Sequence, residues 1–154
     1  MATYNRTATG GGTVGHPSNA AVPYVITSPV WDTADGGTGG DIVQLIDVPA
    51  DTMIVSGCLE VLEAAGNGQV TLDIGFTGGD VDTFMDGSPM AAGFSPFLEA
   101  SIGASGANCR MLTSADTIDA LILDAASTGE SAARFRIHVV LADVSKNPTE
   151  SATV

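Results

Sequence analysis

The chain has 154 residues, 44% of them apolar and only 15% charged, which is the length and composition of one globular domain and not of a disordered segment. Eighteen Asp and Glu stand against five Lys and Arg, a net charge of -13, and Lys146 is the only lysine. Neutralising phosphates takes clustered cations, so this balance excludes direct binding to nucleic acid or to an anionic membrane surface.

Residues 1–21 are Thr, Gly, Ala, Ser and Asn with little apolar content, and Gly10-Gly11-Gly12 sits among them. No strand or helix period runs through the stretch, which predicts an extended N-terminal arm that forms no core of its own. The first residues lack an apolar h-region, and nowhere are there about 18 consecutive apolar residues, so neither a signal peptide nor a membrane span is expected. Synthesis in a cytoplasm follows from that expectation.

The first strand-like run is Val22 to Ser28, which Pro23 restricts to a sheet edge or an arm. A Gly-rich loop is expected from Pro29 to Gly40. Ile42, Gln44, Ile46 and Val48 then alternate with Val43, Leu45 and Asp47, a strand covered on both faces. After a Pro49-Ala50-Asp51 turn, Met53, Val55, Gly57, Leu59 and Val61 alternate with Ile54, Ser56, Cys58, Glu60 and Leu62. Ala65-Gly66-Asn67-Gly68 predicts a tight hairpin, because Asn-Gly tolerates positive φ. Val70, Leu72, Ile74 and Phe76 give the cleanest period of two. Thr77 to Ser88 reads as an Asp- and Gly-rich connection holding Phe84 and Met85. Further strands are expected near Phe97–Ile102, over Cys109–Leu112 and over Asp116–Asp124. A long one follows, with Ala133, Phe135, Ile137, Val139 and Leu141 on one face. Residues 145–154 form a polar tail.

Seven or eight strands and no convincing helix predict an all-β fold, a jelly-roll-like antiparallel β-sandwich over residues 22–144 with an extended N-terminal arm. Thirteen Asp against five Glu fit a loop-rich β protein, because Asp favours turns.

No catalytic signature is found. Gly10 to Gly15 formally fits a dinucleotide fingerprint but runs into His16-Pro17 without the required strand and helix. His16 and His138 are far apart in sequence and offer no metal cluster of the cupin kind. Ser105 lacks a nucleophile elbow. Cys58, in phase with Ile54, is expected to be a buried inert thiol. Cys58 and Cys109 form no disulfide framework. Asp80, Asp82 and Asp86 are the one carboxylate cluster and read either as a solvated acidic loop or as oxygen ligands for Ca²⁺. No cofactor is expected.

Two groups of residues point to a protein partner. Arg134 and Arg136 share a strand face with His138 and pair either with this chain's own carboxylates, Asp119 or Asp73, or with a neighbouring subunit. Tyr4, Arg6, Tyr24 and Trp31 lie in the N-terminal fifth, where aromatic side chains either anchor a partner surface or fold back onto the chain's own sandwich.

From Asp41 onward the sequence resembles capsid decoration, or cement, proteins of tailed bacteriophages. The resemblance is carried by Asp41 to Asp51, Val70 to Phe76 with Asp80 to Asp86, Ser114 to Asp119 and Arg134 to Val140. It implies a homotrimer on the outer surface of an icosahedral capsid, clamping major capsid protein subunits, with the N-terminal arm in contact with the shell. The alternative is a virion tail or fibre module, or a carbohydrate-binding β-sandwich. A single tryptophan is a poor basis for a sugar platform.

Overall fold

The computed structural model describes residues 3–8, 23–35, 39–64, 70–76, 80–97, 110–123 and 133–144, with backbone alone considered for 3–8 and 35. Eleven strands are present among them. They are β1 Thr3–Ala8, β2 Tyr24–Thr27, β3 Trp31–Asp32, β4 Ile42–Val48, β5 Thr52–Glu63 and β6 Thr71–Phe76. β7 Met85–Pro89, β8 Gly93–Pro96, β9 Arg110–Leu112, β10 Asp116–Ile122 and β11 Arg134–Asp143 complete the set. A single 3-10 turn covers Thr33–Asp35.

The strands form two sheets packed as a sandwich. One has the order β1-β4-β10-β6-β7, the other β2-β11-β5-β8 with β3 on β11 and β9 on β5. From β4 onward the chain keeps crossing between the sheets, as in a jelly roll. The inner faces meet in one apolar core that includes Val43, Ile54, Leu59, Leu72, Ile74, Ile118, Phe135, Ile137 and Val139. Ile74 and Leu72 are fully buried, as the period of two in β6 requires.

Two bulges shift the phase that a strict alternation predicts. In β4 the register jumps at Leu45, so Val43 and Leu45 point inward before the jump and Ile46 and Val48 after it. In β5 it jumps at Val55, so Thr52 and Ile54 are buried first, then Leu59 and Val61. Cys58 therefore shares no face with Ile54. It lies on the outer side, half-buried, a free thiol and not a core residue.

Several connections also differ from expectation. β5 and β6 lie in different sheets and do not pair as a hairpin, and the expected turn at 65–68 lies outside the described residues. β7 begins within the stretch expected to be the 77–88 connection, and Phe84 and Met85 belong to the core. A short strand occupies Gly93–Pro96, Phe97 follows it outside any strand, and 98–102 lie outside the described residues. So do most of the arm, His16, Ser105, Cys109 and the 145–154 tail. Within the arm, Thr3–Ala8 pairs parallel to β4, although its composition announces no strand.

β2 is an edge strand, as Pro23 requires. β2 and β3 run as one interrupted edge along β11. Pro29 breaks the ladder, and Ser28 repairs it: its backbone N–H donates to the Ile137 carbonyl (2.9 Å), and its hydroxyl oxygen accepts from the Ile137 N–H (3.0 Å). The Pro49–Asp51 turn forms as expected, with Asp51 at φ 56°, a left-handed conformation that Asp tolerates.

Candidate functional site

The two outer faces of the sandwich differ in chemistry. On the β2-β11-β5-β8 sheet, outward residues fall into rows fixed by register. Thr27, His138, Cys58 and Pro96 form one row; Arg136, Glu60 and Phe94 form the next. The rows are joined by side chains. Arg136 Nε donates to Glu60 Oε2 at 2.5 Å, and His138 Nε2 lies 2.8 Å from the same oxygen. Thr27 Oγ1 is 2.8 Å from His138 Nδ1. The Arg136 and His138 contacts hold the Glu60 carboxyl below its usual range. Arg134 Nε approaches Asp32 Oδ2 at 3.9 Å. The cationic stripe thus pairs within the chain, but with Glu60 and Asp32. Asp73 and Asp119 sit on the opposite sheet and are not its partners.

Thr27, His138 and Glu60 have the connectivity of a hydroxyl–imidazole–carboxylate relay. The surroundings are wrong for catalysis. The row lies on an open sheet face, and Arg136 already neutralises Glu60.

Among the described residues, the same face holds the most exposed large apolar side chains. Phe94 is 68% exposed, Val25 65% and Met111 53%. Phe94 lies opposite Glu60, with its ring centroid 6.3 Å from that of His138. Val25 lies opposite Val140, and Met111 opposite Met53.

The opposite side is acidic. Asp80 and Asp82 hydrogen-bond to each other through their side chains, which raises the Asp80 pKa. Asp73 is buried on the outer side of β6, where its Oδ1 accepts from the Gly87 N–H at 2.7 Å. Burial is the main cause of its raised pKa, and Asp86 and Asp82 add to it. Arg110 sits with its guanidinium 4.8 Å from the Phe76 ring centroid and within 3.4 Å of Thr83 Oγ1. Asp80, Asp82 and Asp86 are not gathered into a group that could hold a metal ion; no such group occurs among the described residues. Beyond them, an open groove of about 600 Å³ is lined by Gln44, Asp47, Val48, Pro49, Ala115, Asp116 and Thr117.

The aromatic candidates separate. Trp31 is 2% exposed and packs in the core, so it folds back onto its own sandwich and presents no surface. Tyr24 is half-buried against the core, and burial together with Asp143 raises its pKa. The side chains of Tyr4 and Arg6 lie outside the described residues, although their backbone belongs to β1. Sequence reasoning missed Glu60, Phe94, Val25 and Met111. The register that brings Glu60 to Arg136 is invisible without knowing that β5 pairs with β11.

No protein-family model matches this sequence, and neither does any protein of curated function. Solved structures share its fold. A chain of the capsid of Ralstonia phage GP4 superposes with a TM-score of 0.65 at 17% identity, covering 92% of this chain and 97% of that one. A chain of the cyanophage Pam1 capsid asymmetric unit gives 0.62 at 12% identity, covering 88% and 96%. A chain of the acidic stable capsid of Helicobacter pylori bacteriophage KHP30 gives 0.52 at 13% identity, covering 79% and 88%.

Proposed function

We propose that this chain is a non-enzymatic structural protein of a bacteriophage virion. It binds the outer surface of the icosahedral capsid as a decoration protein and stabilises the shell by clamping major capsid protein subunits, acting as a homotrimer. The observation that carries this reading is the fold. Chains of three phage capsids share it over nearly their whole length, so the likeness is to entire small β-sandwich subunits and not to a motif within larger proteins.

The surface chemistry supports a protein-binding role. The acidic side offers Asp47 and Asp116 along a groove, suited to a partner that presents Lys or Arg. Stabilisation follows from linkage: a protein that binds the assembled shell and not its dissociated subunits shifts the equilibrium toward the shell. A trimer would multiply weak single contacts. A sugar-binding module is disfavoured by the burial of Trp31, which removes the tryptophan platform.

The test is co-sedimentation of the purified chain with shells assembled from the major capsid protein encoded beside it. Saturable binding that raises the temperature at which the shells disrupt is the expected result. Absence of binding to mature shells would overturn the proposal.

A further inference from the structure

We infer that Thr3–Ala8 is a guard strand, a strap seated on β4 to close a sheet edge that, left bare, takes an extended strand from another molecule. The inference goes beyond the proposed capsid role and does not depend on it.

The first observation is the sequence of β4. Ile42-Val43-Gln44-Leu45-Ile46-Asp47-Val48 holds five aliphatic side chains and one charge in seven residues, with no proline and no lysine. Such a run has high β propensity, and its bare edge would present a row of unpaired N–H and C=O groups. β10 pairs along one side of it and β1 along the other.

The second observation is how the other sheet edges are built. β2 is four residues long and lies between Pro23 and Pro29, and β3 in line with it has two residues. β7 has five, among them Asp86, Gly87 at φ 56° and Pro89. β8 has four, from Gly93 at φ 126° to Pro96, and β9 has three, beginning at Arg110. Each of these edges is short or is stopped by residues that cannot continue a ladder. β4 has no such device of its own. Its cover is β1, whose sequence Thr-Tyr-Asn-Arg-Thr-Ala is polar and carries Arg6, and a charge on an edge strand discourages further pairing.

The third observation is how the cover is held. β1 ends its sheet and pairs with β4 alone among the described strands. Theirs is the one parallel pair among those strands, and a parallel ladder is slightly weaker per residue than an antiparallel one. The register runs from Thr3↔Ile42 to Asn5↔Gln44, breaks, and resumes only at Ala8↔Ile46. β2, the next strand in the chain, belongs to the other sheet and is not joined to β1 by a tight turn. Val43, Leu45 and Ile46 meanwhile keep β4 in the core. The strap can therefore open while the sandwich stays packed, as a local and not a global unfolding.

The full chain carrying Tyr4→Pro and Asn5→Pro together tests the inference. Adjacent residues of a strand aim their N–H groups to opposite sides, so the pair of substitutions removes whichever of the two faces β4. Sedimentation velocity over a concentration series compares the variant with the wild type, and near-ultraviolet circular dichroism checks that the core around Trp31 remains packed. The expected result is a folded variant that shifts to larger species than the wild type forms. Addition of a synthetic peptide of residues 1–9 should abolish that shift, and the same peptide with both prolines should leave it unchanged. A folded variant with wild-type sedimentation would overturn the inference, as would association that the peptide fails to suppress. So would a variant that does not fold, because the strand would then belong to the cooperative core. Shell binding is read separately on the wild type: its failure strikes the proposed capsid role and leaves the guard strand standing.

Discussion

The Phe97 ring occupies the space that a side chain at Gly57 would fill, and it stacks on Phe84 with centroids 5.0 Å apart. Gly57 is thus a packing requirement within β5. Its backbone also receives the Phe97 N–H, at 2.9 Å from the Gly57 carbonyl. Gly57→Ala should overpack this site and cost about 1–3 kcal/mol. Urea denaturation reads the change as a lower midpoint at unchanged slope. A Gly57→Ala/Phe97→Leu double variant should lose less than the sum of the two single changes, because the two residues share one space.

Trp31 separates a structural from a binding role. It is buried at 2% exposure on β3, opposite Phe135. Trp31→Ala should cost about 3–5 kcal/mol in stability through cavity formation. Any loss of shell binding should then follow the fraction unfolded in thermal melts. A folded Trp31→Ala variant of wild-type stability that fails to bind shells would reverse the assignment.

Glu60 sets one arm of the pH dependence. Arg136 and His138 hold its pKa below 4.5, so folding retains a contribution above that value and loses it as pH falls through the depressed folded-state pKa. Glu60→Gln should flatten the acid limb of a stability–pH profile below about pH 4.5, measured by chemical denaturation at each pH. The profile above that range should run parallel to wild type as far as Glu60 is concerned.

Asp73 acts in the opposite sense. Its folded-state pKa is raised above 3.8 by burial, with Asp86 and Asp82 adding to it, so its ionisation costs stability as pH rises through that pKa. Asp73→Asn keeps an oxygen to accept from the Gly87 N–H and removes the charge. The variant should melt higher than wild type at pH 7, and the difference should vanish below about pH 3.8, where the native carboxyl is protonated. A lower melting temperature at pH 7 would mean that the charge itself stabilises the Gly87 contact.

Much of this fold is legible in the sequence because period-two alternation survives wherever the ladder is regular. β6 and the centre of β11 are read correctly down to the inward face, since Leu72, Ile74, Ile137 and Val139 face only the core. The reading fails where one residue is inserted. The bulges at Leu45 and Val55 reverse the alternation partway along β4 and β5, which misplaces Cys58 in the interior. β7 escapes notice because Asp86-Gly87-Ser88-Pro89 has turn composition, and only pairing with β6 makes it a strand. The candidate surface was legible in its cations alone. Its exposed apolar residues stand out only after register places Val25, Phe94 and Met111 on one face.

Phe76, Phe84 and Phe97 form a column that begins on one sheet and ends against Gly57 on the other. The irregular backbone at 80–84 is tied into it: the Phe76 N–H donates to the Asp80 carbonyl at 3.0 Å, and the Phe84 N–H to the Ile74 carbonyl at 2.8 Å. The Asp80–Val81 backbone also fills the space over Gly75. By composition the segment is a loop, yet these amides cannot meet solvent without the aromatic column coming apart. Their deuterium uptake should keep pace with the slowest strands, and proteases should cut elsewhere first.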